Sequence, residues 1–129
     1  MTIDYTQIIS AQMVAAGERD ALFSRLRDLR DLAIAAGITV SGFAIATDET
    51  SQGRILGAAV QAVIDPSVVI NWKTGPSQFV SLTASMVIAI AQAVRVHVQA
   101  CFDHEASLIT AILAGTSPDI TAGWPASAP

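Results

Sequence analysis

Gly37 to Thr50 reads GITVSGFAIATDET, and the order of residue types within it sets the fold. Ile38-Thr39-Val40 alternates in polarity, Ser41-Gly42 interrupts, and Phe43-Ala44-Ile45-Ala46 alternates again. That pattern predicts two short strands joined by a two-residue turn in which Gly42 takes a positive φ. Gly37, just upstream, is the residue type that most readily adopts the left-handed conformation at a helix end. Just downstream, Thr47-Asp48-Glu49-Thr50 supplies N-cap oxygens and first-turn carboxylates. The stretch therefore closes one helix, forms a hairpin and opens another helix.

Upstream, Thr6 to Ala36 reads as helix, in one piece or in two that meet at Gly17. Leu22, Leu26, Leu29, Ala33 and Ala36 fall on one helical face. Downstream, the second helix runs to Ile64, with Ile55, Leu56, Ala59, Val60 and Val63 as its apolar face, and Asp65-Pro66 stops it. Val68, Ile70 and Trp72 then alternate, Lys73 to Ser77 is dense in turn residues, and Phe79, Val80 and Leu82 resume. This is a second hairpin, with Trp72 expected to lie largely buried beside Phe79 and Leu82, against the last helix. Thr83 is the N-cap of that helix, which runs to Ala114, about 32 residues or about 48 Å. Thr116 to Pro129 holds three prolines and reads as an irregular tail that folds back through the Trp124 indole.

The predicted fold is α+β, in the order α-ββ-α-ββ-α, with a small antiparallel sheet of two hairpins packed against a long C-terminal helix. Three segments are expected: residues 1–24, an N-terminal helical stretch and candidate assembly contact; residues 25–115, the α+β core; and residues 116–129, the Pro-rich tail.

Composition narrows the function classes. A chain of 129 residues fits one domain with one core. Its hydrophobic fraction is 52% with only 5% aromatic residues, so the apolarity comes mostly from Ala, Val, Ile and Leu. The most apolar stretch, Met86 to Ala100, is interrupted by Gln92, Arg95, His97 and Gln99, and no membrane span is expected. Met1 to Tyr5 lacks the basic start of a signal peptide, so the product is expected in the cytoplasm or inside a virion. Seven basic against eleven acidic side chains give a net charge of −4. The one basic cluster, Arg25, Arg27 and Arg30, is interleaved with Asp20, Asp28 and Asp31, which disfavours nucleic acid. The lone Cys101 forms no intrachain disulfide.

The chain resembles a domain family of unknown function found in tail-fibre, tail-fibre-assembly and other tail-region proteins of tailed bacteriophages and prophages. The stretches that carry the likeness are GITVSGFAIATDETSQGRI (Gly37–Ile55), NWKT (Asn71–Thr74), FVSLT (Phe79–Thr83), AVRVHVQACFDHEASL (Ala93–Leu108) and GWP (Gly123–Pro125). They span about Arg25 to Pro125. Family members often carry Asn-Gly where this chain has Ser41-Gly42, and Arg where it has His104. The resemblance implies a place in or beside a phage tail and no catalysis, and it supplies no active site.

Three constellations are candidates for chemistry or contact. His97, Cys101 and His104, spaced i, i+4 and i+7, put three potential metal ligands on one side of the long helix; the alternative is that they simply pack there. Val87, Val94, Cys101 and Leu108 recur every seven residues, as do Ile90, His97, His104 and Ala111, so both sets can be written as the a and d seam of a coiled coil. A seam of that kind would make a homo-oligomer, with a trimer favoured, and its histidine layers would loosen it below about pH 6. The competing reading is packing within the chain. Glu105 either pairs with Arg25, Arg27 or Arg30 or lies partly exposed.

No catalytic or cofactor-binding residues are identified. Asp48, Glu49, Thr50 and Ser51 are explained by capping, Gly53 to Gly57 lacks the Lys-Ser/Thr of a phosphate loop, and Cys101 beside His97 lacks an electropositive setting. The expectation is a non-enzymatic structural component of the tail tip, baseplate or fibre base, made in the host cytoplasm and acting through contacts with other tail proteins. The alternatives are a tail-fibre assembly chaperone absent from the mature virion, and a metal-dependent binding module using His97, Cys101 and His104.

Overall fold

The computed structural model describes residues 5–125; the extreme ends of the predicted N-terminal segment and tail lie outside them. The order of elements is α1 (Tyr5–Ile34), β1 (Ile38–Val40), β2 (Phe43–Ile45), α2 (Glu49–Ile64), β3 (Val69–Gly75), β4 (Gln78–Thr83) and α3 (Ala84–Leu113). This is the α+β arrangement expected from the sequence. Its antiparallel layer consists of two separate two-stranded sheets, β1-β2 and β3-β4.

The first hairpin pairs Ile38 with Ile45 and Val40 with Phe43. Ser41 and Gly42 have φ of 51° and 83°, and two positive values in a two-residue loop mark a type I′ turn, whose twist matches that of the strands. In the second hairpin Trp72 pairs with Val80 and Ile70 with Leu82, which places these four on the inner side. Strand β3 runs on to Gly75, so Pro76-Ser77 is the turn, tighter than the five residues expected. Trp72 is half-buried rather than largely buried, and it packs against the cluster that contains Ile55 of α2 as well as Leu82, Val87 and Ile90. Phe79 lies opposite Lys73 on the outer side and is 58% exposed, so it does not share a face with Trp72.

Helix α1 is continuous through Gly17. It packs on α3, with Leu26, Leu108, Ile112 and Ile120 forming one buried cluster. A second cluster, Ile45, Ile55, Ala62, Leu82, Ala84, Val87, Ile90, Val94 and Val98, fills the space between α2, the hairpins and the first half of α3. The length of α3, 30 residues or about 45 Å, is thus used twice in series, first against α2 and the hairpins and then against α1. By length and composition α3 could cross a membrane, but nine of its residues are buried within this fold.

Two side chains tie these parts to the end of α1, where helical carbonyls lose their own partners. The Thr47 hydroxyl, fully buried, donates to the Ile34 carbonyl at 2.6 Å and accepts the Gly37 N–H at 2.9 Å. The Gln52 side-chain amide donates to the Thr47 carbonyl at 2.8 Å, which joins the same point to α2. From α3, His97 Nε2 donates to the Ala33 carbonyl at 2.9 Å. Helix α2 is capped by Asp48, which accepts from the Ser51 N–H, and α3 by Thr83, which accepts from the Met86 N–H.

The tail folds back as the sequence suggested. Ile120 is buried, and the Trp124 indole donates to the Ile120 carbonyl at 2.8 Å and meets the His104 ring edge-on at 4.6 Å. Gly123 has φ 84°, and a Cβ there would stand 2.8 Å from His104 Cε1, so no other residue fits this closure unchanged.

Thr47→Val keeps the shape of the side chain but strands two buried backbone groups, so it is expected to cost about 2–4 kcal/mol in chemical denaturation. Thr47→Ser, which keeps the hydroxyl, should cost about 1 kcal/mol for the lost methyl. Equal losses from the two would show that the hydroxyl is not what holds the joint.

Acid should weaken the fold through three exposed turns. Hydrogen bonds from the Ser51 hydroxyl and N–H hold the Asp48 carboxyl below the usual range; Ser67 does the same for Asp65, and Thr121 for Asp119. A carboxylate whose folded pKa is depressed contributes stability that is present above its unfolded value, about 3.9, and lost as pH falls through the folded value. The melting temperature is therefore expected to decline below about pH 4, and the Asp-to-Asn triple variant at 48, 65 and 119 should flatten that decline.

Candidate protein-docking site

From Ile55 to Ile64, α2 carries no charged side chain and is apolar around more than half its circumference. A helix has only one side to give to a core, and here Ile55 and three alanines take it: Ile55 and Ala62 are buried, with Ala58 and Ala59 packed against the cluster. Of the apolar face read from the sequence, Leu56, Val60 and Val63 instead stand 64%, 51% and 70% exposed, and Ile64 is 78% exposed. The three alanines on that side let α2 approach α3 closely, with Ile55 the one large side chain that α2 buries in the core.

The far wall is α3, whose Ile88, Ala91, Gln92, Arg95 and Val96 complete an open groove of about 750 Å³. Arg95 is its one charged lining residue. A contiguous apolar surface of this kind on one side of a domain marks a contact site more often than a solvated face. Side chains in the groove offer shape and apolar area, with no nucleophile, base or paired carboxylate among them.

The residues singled out from the sequence lie elsewhere. Val87, Ile90, Val94, His97, Cys101 and Leu108 are between 0% and 8% exposed, inside this chain's own core. The heptad seam is therefore an intrachain one, and these residues are not available to a second copy. Of the two histidines expected to form layers of an oligomer seam, His97 is buried at the Ala33 carbonyl and the half-buried His104 is turned to the tail.

His97, Cys101 and His104 do not converge. His97 Nε2 is engaged with the Ala33 carbonyl, while His104 Nε2 donates to the Ala122 carbonyl at 2.8 Å, on the tail side. The Cys101 sulfur is 4.0 Å from His97 Nε2, and burial pushes its thiol up, away from the thiolate that a metal or an electrophile would need. Among the described residues no three His, Cys, Asp or Glu side chains are arranged to hold a metal ion.

Glu105 finds its partner in Arg30, at 2.8 Å, with side chains 12% and 18% exposed. Burial opposes the Arg30 charge, but the hydrogen bonds to Glu105 and Asp31 outweigh it and hold the pKa above its ordinary value. The guanidinium also lies 4.6 Å from the centre of the Phe102 ring. The pair locks α1 to α3. The hydroxyl and carboxylate of Ser51 and Asp48 are likewise occupied by each other, at 2.5 Å.

Sequence reasoning passed over Ile64, Ile88 and Val96, and it put Leu56, Val60 and Val63 on one apolar face with Ile55, which alone of the four is buried. The signal that identifies them was present: an uncharged stretch of α2 with more large apolar residues than one packing face can absorb.

Comparison with known proteins adds a family. The family described as "Domain of unknown function (DUF4376)" matches residues 17–123. No curated protein and no solved structure matches the chain.

Metal analysis of the purified protein is expected to find no stoichiometric zinc, and added zinc should leave the melting temperature unchanged. One equivalent of tightly held metal, lost in His97→Gln and His104→Gln alike, would reverse this reading of the histidines.

Proposed function

We propose that this chain, which belongs to the DUF4376 family, is a non-enzymatic component of a phage tail that works by protein–protein contact through the α2/α3 groove. The observation that carries the reading is the groove itself: five large apolar side chains, Leu56, Val60, Val63, Ile64 and Val96, each at least half exposed and without charge among them. Leaving such a surface in water forgoes roughly 25 cal/mol per Å² of burial, so a partner that covers it gains affinity without reorganising the core. The tail setting is supported by the resemblance of Gly37–Ile55, Ala93–Leu108 and Gly123–Pro125 to tail-region proteins. A structural part of the tail tip, baseplate or fibre base fits a fold whose buried polar side chains, Thr47 and His97, are spent on joints between its elements.

The test is made on virions of the phage that encodes the chain. Mass spectrometry should detect it at several copies per tail. Val60→Asp, a surface change, should leave the melting temperature within a degree or two and yet reduce tail assembly severely. Absence from virions together with a tail defect on deletion would favour the chaperone alternative. Normal tails in the Val60→Asp mutant would remove the groove from the function.

A further inference from the structure

The groove has a counterpart on the same chain. The two helices run antiparallel, with Ala33 at His97 and Arg30 at Glu105; Leu22 and Phe23 are the first α1 residues against the Leu26, Leu108, Ile112 and Ile120 cluster, so α1 continues past the end of α3 as an arm. From Tyr5 to Asp20 the arm is about 24 Å long, matching the 16-residue α2 at 1.5 Å per residue. Every arm side chain whose placement is described is exposed, Met13 and Val14 by 70% and 61%. Yet no Asp, Glu, Lys, Arg or His occurs from Tyr5 to Gly17. A solvated helix normally carries charges in i, i+4 pairs, and a single helix of this length is marginal in water without them or a packing surface. The arm is built like a helix that is covered.

We propose that the arm of one copy lies in the α2/α3 groove of a second copy, so that the chain assembles head to tail. The arm joins its own core as one unbroken helix that runs past the end of α3, whereas the groove lies along the first half of α3, so the occupant comes from another molecule. Small arm residues, Ala11, Ala15 and Ala16, permit the close approach that a groove between two helices requires. Charge sets the direction. Arg95 stands at the Leu56 end of the groove, and Glu18 ends the uncharged part of the arm. Neither makes an ion pair among the described residues. With Glu18 at Arg95, Met13 and Val14 fall one turn further along, over Val60. A contact between two different patches of one chain generates a ring or an open filament, according to the angle between successive copies.

The inference rests on the groove being a docking face, and the experiment separates the two. Full-length Met13→Cys and Val60→Cys proteins, one carrying a mass tag, are mixed and treated with a short thiol cross-linker; the native Cys101 is fully buried and silent. The expected product is the mixed pair. Glu18→Arg should reduce its yield at least tenfold, and Arg95→Glu in the partner should restore it. Only Val60–Val60 products would overturn the proposal in favour of a twofold groove contact, and only Met13–Met13 products in favour of an arm bundle. No cross-link at any concentration up to the millimolar range would also overturn it; a tail defect in Val60→Asp would then still stand, and the groove would belong to another partner.

Discussion

Two carbonyl groups at the end of α1, on Ala33 and Ile34, determine how the other elements are placed. A helix ends with acceptors that have no partners within it, and burying them unpaired would cost about 1–3 kcal/mol each. His97 of α3 bonds the Ala33 carbonyl, which also accepts the Ala36 N–H at 3.3 Å, and Thr47, ahead of α2, satisfies that of Ile34. The same hydroxyl takes the N–H of Gly37, where the first hairpin begins. Four elements thus meet at one helix end. The hydrophobic clusters supply most of the stabilisation on either side, but apolar contacts are non-directional, and these hydrogen bonds fix which turn of α3 faces which turn of α1.

That joint also shows where sequence reading succeeds and where it stops. Local chemistry was legible: the Ser41-Gly42 turn, the Asp48 and Thr83 caps and the break at Asp65-Pro66 each depend on a few adjacent residues. The element order followed from them. What a side chain meets across the fold was less legible. His97 has the same spacing whether it binds zinc, forms a layer in a coiled coil or caps a carbonyl of another helix, and only the third brings in Ala33, 64 residues away. The a and d positions of α3 likewise share one periodicity whether the helix they meet is in the same chain or a second one. Glu105 was better constrained: if buried, a carboxylate demands a cation, and Arg30 was one of the three named for it.

The groove was misread for a related reason. Periodicity identifies an apolar face but does not rank two of them, and α2 has two. Packing ranks them by closeness of approach, and the alanine side goes inward. What remains outside is Leu56, Val60, Val63 and Ile64, an apolar surface left by geometry and kept free of charge in the sequence. A helix that needed only solubility would carry Lys or Glu at several of those positions.

The continuity of α1 has a mechanical consequence. No proline or gap separates the part of the helix that packs on α3 from the part that extends beyond it, and the helix runs on unbroken through Gly17. The extension therefore has a fixed bearing on the core, like a spoke set in a hub, and the Arg30–Glu105 pair with Leu26 forms the seat of that spoke. Whatever grips the far end grips the whole domain at a set orientation. A slight repacking at the seat would swing the tip through several times the displacement, so the shape of any larger structure built from this chain is tuned at the α1/α3 contact rather than at the surfaces that touch.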